Sequence, residues 1–316
     1  MNPAALERVI RAEARRRLGA EVERIAVRPS GRRSTADLHE VDVTLADGDL
    51  GLILKRSRPV APPSRPALVH DPCREARTYR HILGGAETGS PELWGAWATR
   101  DGGAALLVER IAGVTLTEAR SLDAWSAAAG WAAGLHDRVT ARGRRNARRA
   151  GLIVADARRH RLWMERARSF SDAPDVERLA GAHRAVVAGI GRLPRAFVHG
   201  ELYPANVMIE DREGTPVVRP VDWETAGLGP GLMDLAALTG GEWEDPDART
   251  AVALAYRDAS SAWSGVADRA FLRALDLCAV QVAIGWLGWS DSWSPPPEHA
   301  RNWLSAALAA IERLGL

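Results

Sequence analysis

Four side chains suited to binding a metal or a proton lie close together in the second half of the 316-residue chain. His199, Glu201 and Asn206 fall within FVHGELYPANVMI, and Asp222 follows at the end of the apolar run VVRPVD. Mg²⁺ prefers oxygen ligands and keeps several waters, so one carboxylate, one amide oxygen and nucleotide phosphates complete a site for it. The other carboxylate could then address an attacking hydroxyl, which is the division of labour in phosphoryl transfer.

Two charged residues further upstream fit the same chemistry. Lys55 ends the apolar run LGLILK, and Glu75 lies on the next predicted helix, in DPCREARTYRHIL. A strand lysine paired with a glutamate on the following helix holds an ammonium against the α- and β-phosphates of a nucleotide. The alternatives are an exposed strand-end lysine and a solvated glutamate, where pairing with Arg74 or Arg77 would contribute little.

Two further segments are candidates for nucleotide contacts. PSGRRSTAD lies between the first two predicted strands, where a phosphate-covering turn belongs, and Ser34 is its candidate contact. With Gly31 as its one glycine, this segment does not match the GxGxxG pattern. LLVERIAG predicts a hinge whose backbone groups could hold an adenine edge.

The elements that must position these residues change character along the chain. The N-terminal third predicts a helix over 3–18, strands in VERIAVR, LHEVDVTL, LGLILK, LWGAWAT and AALLVE, and an Asp-Gly hairpin turn. Asp71 before Pro72 predicts the start of a helix ending near Leu83. After about residue 117 helical patterns dominate, with strand-like runs only in AFVHG, NVMIE and PVVRPVD. The predicted fold class is therefore α+β.

Composition excludes several classes of protein. Apolar residues make up 46% of the chain, enough for a substantial core, and the net charge is only 42 − 40 = +2, which argues against a nucleic-acid binder. The two cysteines have neither metal-ligand spacing nor a disulfide framework, which fits a reducing cytoplasm. The N-terminus lacks the apolar segment of a signal peptide, and no membrane span is expected.

Two clusters admit more than one interpretation. The basic run ARGRRNARRAG predicts a solvated connection, with a docking site for an acidic partner as the alternative. Trp286, Trp289 and Trp293 are spaced for one helix face, which predicts core packing. Stacking on an acceptor, through a sugar ring or a peptide side chain, is the alternative for the tryptophans. The arginines of the basic run are Arg142, Arg144, Arg145, Arg148 and Arg149.

Together these motifs resemble the aminoglycoside phosphotransferase family, relatives of the eukaryotic-like protein kinases that include choline kinases. The resemblance covers nearly the whole chain, from about residue 20 to 310. HGELYPAN matches the family's catalytic loop, His-Gly-Asp followed by four residues and Asn, and Asp222 matches its second metal-binding acid. GPGLMDLA matches the family segment in which Asp234 would brace the loop.

The resemblance implies a bilobal protein-kinase-like fold. Residues 1–108 would form a small antiparallel-sheet lobe, 109–113 a hinge, and 114–316 a mostly helical lobe. The implied activity is ATP-dependent phosphotransfer to a hydroxyl, with Glu201 as the catalytic residue. The implied ligands of Mg²⁺ are Asn206 and Asp222, and the implied nucleotide contacts are Lys55, Glu75, Ser34 and the backbone of Glu109 and Ile111.

The chain departs from the family at Glu201, where aspartate is usual. One extra methylene can move a carboxylate by more than ~1 Å, and displacements of that size can cost ~10²-fold in rate. Either the loop is reshaped around a different acceptor, since Tyr203 and Pro204 depart as well, or the chain is a weak or inactive kinase that acts through a partner. The retained Lys55 and Asn206 favour the adapted enzyme.

The acceptor is open at this stage. A polycationic aminoglycoside needs a strongly acidic cleft, and the acids of the C-terminal part are balanced by arginines. A natural-product sugar, an alcohol or the Ser/Thr of a peptide is as consistent as an antibiotic. The sequence predicts a cytoplasmic protein with no nucleic-acid or membrane partner, and it leaves ATP versus GTP and the oligomeric state open.

Overall fold

The protein folds into a sheet-rich N-terminal part followed by a mostly helical part. The structure is a computed structural model that describes residues 3–31, 36–59, 71–84, 87–170, 173–240, 243, 245–289 and 302–316. The predicted α+β class is confirmed. The predicted domain boundaries stay predictions, and Ser34 and Trp293 lie outside the described residues.

A five-stranded antiparallel sheet dominates the N-terminal part. Its strands are β1 (Val22–Pro29), β2 (Asp37–Leu45), β3 (Gly48–Ser57), β4 (Leu93–Ala98) and β5 (Ala104–Glu109). They lie in the order β1-β2-β3-β5-β4. The helix α1 (Pro3–Leu18) packs on one face of the sheet, because Leu6, Ile10 and Ala14 recur at helical spacing and meet the alternating apolar residues of the strands.

The turn between β2 and β3 differs from the prediction by one residue. Leu45 pairs with Gly48, so the turn residues are Ala46 and Asp47, and the glycine begins the next strand. Gly48 has φ +152°, a conformation that favours glycine. The glycine is therefore needed at the strand end and not inside the turn.

A short helix covers the other face of the sheet and reaches the second part of the chain. It comprises α2 (Arg74–Thr78) and a π-helical turn, Tyr79–Leu83. The predicted start at Pro72 was early, since Asp71 Oδ1 accepts from the Cys73 N–H at 3.0 Å in the preceding turn. Ile82 packs in one apolar cluster with residues of both parts, Leu106, Leu135, Phe197 and Trp223 among them.

Helices form most of the remaining chain. They are α3 (Leu116–Ala119), α4 (Leu122–Ala150), α5 (Ala157–Phe170), α6 (Pro174–Ile190), α7 (Leu232–Leu238), α8 (Pro246–Ala259), α9 (Asp268–Leu287) and α10 (Trp303–Leu314). Between them lie the short strands β6 (Val114–Thr115), β7 (Ile153–Val154), β8 (Arg195–Val198), β9 (Val207–Arg212), β10 (Thr215–Pro220) and β11 (Gly227–Pro230). They form the sheets β10-β9-β6 and β7-β11-β8. The sequence predicted β8, β9 and β10. The strands β6 and β7, at two residues each, are too short for a pattern, and β11 (GLGP) lacks the residues typical of a strand.

The basic run and the tryptophan run both differ from their predictions. Residues 141–150 continue the 29-residue helix α4, so the predicted connection is wrong. The helix continues because Gly143 packs against Phe197, and the arginines of this segment extend from its outer side. Trp286 and Trp289 do not lie on one helix, because α9 ends at Leu287 between them, but both pack against the main apolar cluster, as predicted.

The long apolar helix α9 lies in the core of the helical part. Among the described residues, α9 alone is long and apolar enough to span a membrane, with a mean hydropathy of 1.5, and half of that window is buried inside the fold. Phe271, Cys278 and Ile284 are fully buried in the main apolar cluster. Packing against α5, α6, α7 and α10 accounts for its composition.

Candidate active site

The catalytic-loop motif occupies the connection between β8 and β9. β8 ends at Val198, and a 3₁₀ turn, Pro204–Asn206, leads into β9. Gly200 has φ +90°, and a Cβ at this position would clash with the carbonyl oxygen of Thr225. Glycine tolerates both conditions, so it lets the loop pass against the segment that follows Asp222.

A buried carboxylate holds the backbone of this loop. Asp234, at the start of α7, accepts from the N–H of His199 at 2.7 Å and from the N–H of Gly200 at 2.9 Å. The Nε2 of His136 lies 3.1 Å from the same carboxylate, and its Nδ1 lies 2.7 Å from the hydroxyl of Tyr256. This geometry agrees with the bracing role that the family resemblance implied for Asp234.

The histidine of the motif positions the loop. Its Nε2 donates to the carbonyl of Val221 at 2.9 Å, and its Nδ1 lies 3.4 Å from the N–H of Glu201. His199 is fully buried, and burial lowers its pKa, so the neutral ring is favoured. A neutral imidazole engaged on both nitrogens links the loop to the Asp222 segment and is not available for proton transfer.

The asparagine of the motif is held in register with Asp222. The side-chain Nδ2 of Asn206 donates to the backbone carbonyl of Glu201 at 2.9 Å. The backbone carbonyl of Asn206 accepts from the N–H of Val221 at 2.9 Å. Since the amide nitrogen is engaged by the loop, Oδ1 of Asn206 is the atom available to a cation. Asp222 itself has φ +68°, an uncommon conformation for a residue with a side chain.

Lys55 lies among three carboxylates drawn from distant parts of the chain. Its Nζ is 2.7 Å from Glu75 Oε2, 2.6 Å from Asp222 Oδ1 and 4.0 Å from Glu224 Oε2. The other oxygen of Glu75 accepts from the N–H of Trp223 at 3.2 Å. Lys55 and Glu75 are buried, so the interpretations as an exposed lysine and a solvated glutamate are wrong.

Burial and charge together set the protonation of this cluster. Burial alone would lower the pKa of Lys55, but Asp222 and Glu75 raise it more, so the pKa lies well above its usual value. Burial raises the pKa of Glu75 to about 7, against the opposing effect of Lys55. The lysine therefore stays charged, whereas Glu75 titrates near neutral pH.

The structure adds residues to the site that the sequence interpretation missed. Glu224 stands two residues after Asp222, a position from which a second acid could have been inferred. Arg74 is buried beside Glu75 and donates to the carbonyls of Gly151 at 2.8 Å and Glu224 at 2.7 Å. His136 and Tyr256 lie 98 and 120 residues from their partners, so no local pattern reveals them.

Glu201, the predicted catalytic residue, has basic neighbours. The side chain of Glu201 is half-buried. Burial lowers the pKa of both Arg74 and Arg159, and the charge of Glu201 acts in the opposite direction on each. Burial is nonetheless the largest effect on Arg159 and lowers its pKa to about 10. Two guanidinium groups therefore lie within electrostatic reach of the carboxylate.

The predicted hinge residues lie at the end of β5. The N–H of Glu109 donates to the carbonyl of Glu92 at 2.9 Å, and its carboxylate accepts from Arg219 at 2.6 Å. Ile111 is buried two residues further on. Glu109 pairs with Leu52 on β3, the strand that carries Lys55, so hinge and cluster share one sheet. The predicted Ser34 contact lies outside the described residues.

A comparison with family models identifies the class of enzyme. The model of the phosphotransferase enzyme family matches residues 30–275, more than half of the chain. The protein belongs to this family and is a phosphotransferase, which confirms the relationship inferred from the motifs. A comparison with curated protein sequences finds no match.

Solved structures with low sequence identity share the fold. The GDP complex of aminoglycoside 2'-phosphotransferase-IIIa is 14% identical, with a TM-score of 0.60 over 99% of this chain and 98% of that one. Ethanolamine kinase from Plasmodium vivax is 11% identical, with a TM-score of 0.62 over 92% and 82%. Macrolide 2'-phosphotransferase from Brachybacterium faecium is 19% identical, with a TM-score of 0.54 over 96% and 97%. The predicted bilobal, protein-kinase-like architecture is confirmed.

Proposed function

We propose that this phosphotransferase moves the γ-phosphoryl group of ATP, with Mg²⁺, to a hydroxyl of a small molecule. The observation that carries the proposal is the ion-pair cluster of the buried Lys55 and Glu75 with Asp222, assembled beside Asn206 and Glu201. Positioning and charge compensation dominate phosphoryl transfer, and these residues supply both. Location in the cytoplasm is part of the proposal and rests on cysteine usage.

The donor atoms around Asp222 fit a magnesium ion. Lys55 faces three carboxylates, so the cluster carries excess negative charge that a divalent cation would balance. The described residues contain no group of three or more His, Cys, Asp or Glu side chains arranged for a metal. Two protein oxygens, from Asn206 and Asp222, suit Mg²⁺, which takes its remaining ligands from phosphates and water. When bound, the ion would neutralise charge on the phosphates.

Each residue of the site then has one task. Lys55, held by Glu75, would contact the nucleotide phosphates, and the backbone of Glu109 and Ile111 would hold the base. Glu201 would orient the acceptor hydroxyl and accept its proton. His199 and Asp234 would act indirectly, because their hydrogen bonds fix the loop on which Glu201 and Asn206 lie.

Phosphoryl transfer would allow a small-molecule or a peptide hydroxyl as the acceptor, and we propose a small molecule. The names of the similar structures include an aminoglycoside and a macrolide phosphotransferase and an ethanolamine kinase. A small-molecule hydroxyl, as in a natural-product sugar or alcohol, is therefore our first candidate, ahead of a peptide Ser/Thr. The test is ATP consumption across an acceptor panel, with mass spectrometry of the product for one added phosphoryl group.

A catalytically weak nucleotide-binding protein is the second candidate, favoured only by the glutamate at position 201. It predicts Mg-ATP binding without phosphate transfer to any acceptor, whereas the enzyme predicts both. Calorimetric titration with a non-hydrolysable ATP analogue, run beside the acceptor panel, separates the two. Failure to bind Mg-ATP would contradict both candidates.

Asp222→Ala tests the metal assignment. Removing this carboxylate should lower kcat by at least about 10²-fold, because the group stabilises charge at the reacting phosphates. The fold should persist, since Asp222 is partly exposed and Lys55 keeps Glu75 as a partner. The matched control is Asp49→Ala, which removes an exposed aspartate near the start of β3, at the end of the strand away from Lys55. This variant should keep wild-type kcat. Unchanged kcat in Asp222→Ala would show that the metal assignment is wrong.

A further inference from the structure

A buried arginine joins the hairpin of β9 and β10 to the predicted hinge. Arg219 lies on β10, and each of its three side-chain nitrogens donates a hydrogen bond. Its Nε donates to the carbonyl of Gly89 at 2.7 Å, its Nη1 to Glu210 at 2.9 Å and its Nη2 to Glu109 at 2.6 Å. One side chain of the helical part therefore holds two separate segments of the sheet-rich part.

The chain before β4 passes very close to the strand that carries Arg219. Gly89 has φ +69°, and a Cβ at this position would clash with the carbonyl oxygen of Val218 on β10. Glycine tolerates both conditions. This close approach brings the carbonyl of Gly89 to the Nε of Arg219, so the backbone is arranged to receive the guanidinium group.

The hinge segment, residues 109–113, is attached to the same hairpin at both of its ends. At the far end, Val114 pairs with Ile209 of β9, and a Cβ at Gly113 would clash with the carbonyl oxygen of Ile209. At the near end, the ion pair of Arg219 with Glu109 makes the connection. Backbone pairing thus fixes one end of the hinge segment, and a side chain fixes the other.

Two ion pairs connect the hinge segment with the phosphate cluster. On β3, Leu52 pairs with Glu109, and Lys55 lies three residues further along the strand, a span of ~10 Å. On the opposite side of the cleft, Asp222 lies three residues after Arg219 and pairs with Lys55 at 2.6 Å. Both segments therefore run from the hinge to the cluster and are linked to each other at the two ends.

We propose that Arg219 is a positioning residue for the nucleotide base. Through Glu109, it holds the hinge segment at a fixed distance from Lys55 and Asp222, so that one nucleotide reaches the base site and the phosphate site together. This inference rests on the proposed function, which places the base at the hinge. Arg219 acts without touching the nucleotide, because protein acceptors engage all three of its nitrogens. A preformed site avoids the cost of ordering the hinge when the nucleotide binds.

Calorimetric titration of the full chain with two probes tests this role. Adenylyl imidodiphosphate carries a base and three phosphates, whereas inorganic tripolyphosphate carries the phosphates alone, and both are titrated with Mg²⁺. Arg219→Met keeps aliphatic volume and removes the donors. If the hinge is then correctly placed about one tenth of the time, the Kd of the nucleotide analogue should rise about tenfold. The Kd of tripolyphosphate should stay within about twofold of wild type, because its site lies at Lys55 and Asp222.

A double-mutant cycle shows whether Arg219 acts through Glu109. Glu109→Met removes the acceptor at the hinge, while Arg219 keeps Glu210 and Gly89 as partners. Alone, it should also weaken binding of the nucleotide analogue and spare tripolyphosphate. Adding Arg219→Met to this variant should raise the Kd of the analogue little further, because residues that share one contact are not additive. Fully multiplicative losses would contradict the connection through Glu109.

Arg212→Met is the matched control, since Arg212 is an exposed arginine of the same hairpin that pairs with the same Glu210 at 3.1 Å. It should keep wild-type Kd for both probes. Equal losses of both probes in Arg219→Met, or wild-type Kd for both in the folded variant, would overturn the inference. Should circular dichroism show Arg219→Met unfolded, Glu109→Met carries the comparison under the same criterion. A wild-type protein that binds neither probe would contradict the proposed function, and this inference with it.

Discussion

Glu201 has a longer side chain than the aspartate of related catalytic loops, and the structure shows neighbours that could hold it. Its backbone is fixed by Asn206 and by the N–H of Tyr203, which donates to the Glu201 carbonyl at 2.8 Å. Arg74 and Arg159 interact with its carboxylate. The reshaped loop stays a prediction, and these basic neighbours favour it over decay of the site.

The variants Glu201→Gln and Glu201→Asp distinguish a reshaped, active loop from a decayed site. The glutamine variant keeps the size of the side chain but loses its basicity, so kcat should fall by about 10²–10⁴-fold with little change in nucleotide affinity. The aspartate variant should also be slower than wild type, since the shorter side chain falls short of the hydroxyl. Steady-state kinetics measure both, with the exposed Glu177→Gln as the control. A higher kcat in the aspartate variant would indicate a lapsed enzyme.

Titration of Glu75 should make the stability of the fold and the kcat/KM for ATP change in opposite directions with pH. Its folded pKa of about 7 lies above the ordinary value of 4.5, so its protonated form stabilises the fold fully below about pH 4.5, and this contribution is lost as the pH rises through 7. The ion pair with Lys55 needs the ionised form, so nucleotide positioning improves over the same range. Stability should therefore fall as kcat/KM for ATP rises.

The control is Glu75→Gln, which cannot titrate. Urea unfolding between pH 5 and 8 should show wild type losing stability relative to this variant as the pH rises. The rise of kcat/KM between pH 6 and 8 should be weaker in the variant. Parallel stability curves for the two proteins would contradict the raised pKa of Glu75.

Among the secondary-structure elements, the catalytic loop depends on the strand that precedes it and on two segments further along the chain. β8 delivers the loop, α7 supplies Asp234, and the segment before β11 supplies the carbonyl of Thr225 that passes next to Gly200. The loop is therefore rigid because it is held from several sides. Gly200 is needed because it can adopt this backbone conformation, and the surrounding contacts then hold it in place.

Gly200→Ala tests this close approach, with Gly214→Ala as a matched control. Both glycines have positive φ, +90° and +79°, but a Cβ at Gly214 would meet nothing within 4 Å. Gly214→Ala should cost about 1–2 kcal/mol from backbone strain alone. Gly200→Ala should lose ~1–3 kcal/mol more through overpacking and should also lower kcat. Equal unfolding free energies in urea would show that the approach to Thr225 is not restrictive.

Across the fold, α2 joins the N-terminal sheet to the helical part. Arg74 on α2 donates to carbonyls of Gly151 and Glu224, both in the helical part, and Glu75 beside it pairs with Lys55 of the sheet. One short helix thus sets the position of the sheet against the catalytic loop. The nucleotide site depends on this junction as much as on its own side chains.

Arg74→Met should loosen the junction. The methionine keeps aliphatic volume but leaves two carbonyls without a charged donor, and each such hydrogen bond is worth ~1.5–3 kcal/mol. Unfolding free energy should fall by about 3 kcal/mol, and KM for ATP should rise. Arg80→Met is the matched control, because Arg80 is exposed and contacts Ala96 within the sheet part. Equal KM and stability in the two variants would show that α2 is held by apolar packing alone.

The acidic partner predicted for the arginine run stays a prediction. The run lies on the C-terminal third of α4, where Arg144, Arg145, Arg148 and Arg149 are exposed and Arg142 donates to Gly84. A helix displays these charges in a fixed arrangement, which a solvated connection would not. Nothing in the described residues identifies what would bind there.

Local features were determined by the sequence alone. The alternation in LHEVDVTL required a half-buried strand, and the spacing of Leu6, Ile10 and Ala14 required a helix face. HGELYPAN and Asp222 could be recognised as one site because, together with GPGLMDLA, they resemble the motifs of the phosphotransferase family. The strands β6 and β7 could not be predicted, since two residues hold no period, and β11 (GLGP) consists of residues that are uncommon in strands.

Only the tertiary structure decided which side chains meet. Lys55 and Asp222 are 167 residues apart, and His136 reaches Asp234 over 98, so neither contact leaves a trace in local periodicity. The basic run became helix because one face of α4 packs on Phe197, which overrides the appearance of a solvated segment. Burial decided the protonation of Glu75 in the same way: a carboxyl group's pKa depends on the dielectric and the charges around it, and folding creates both.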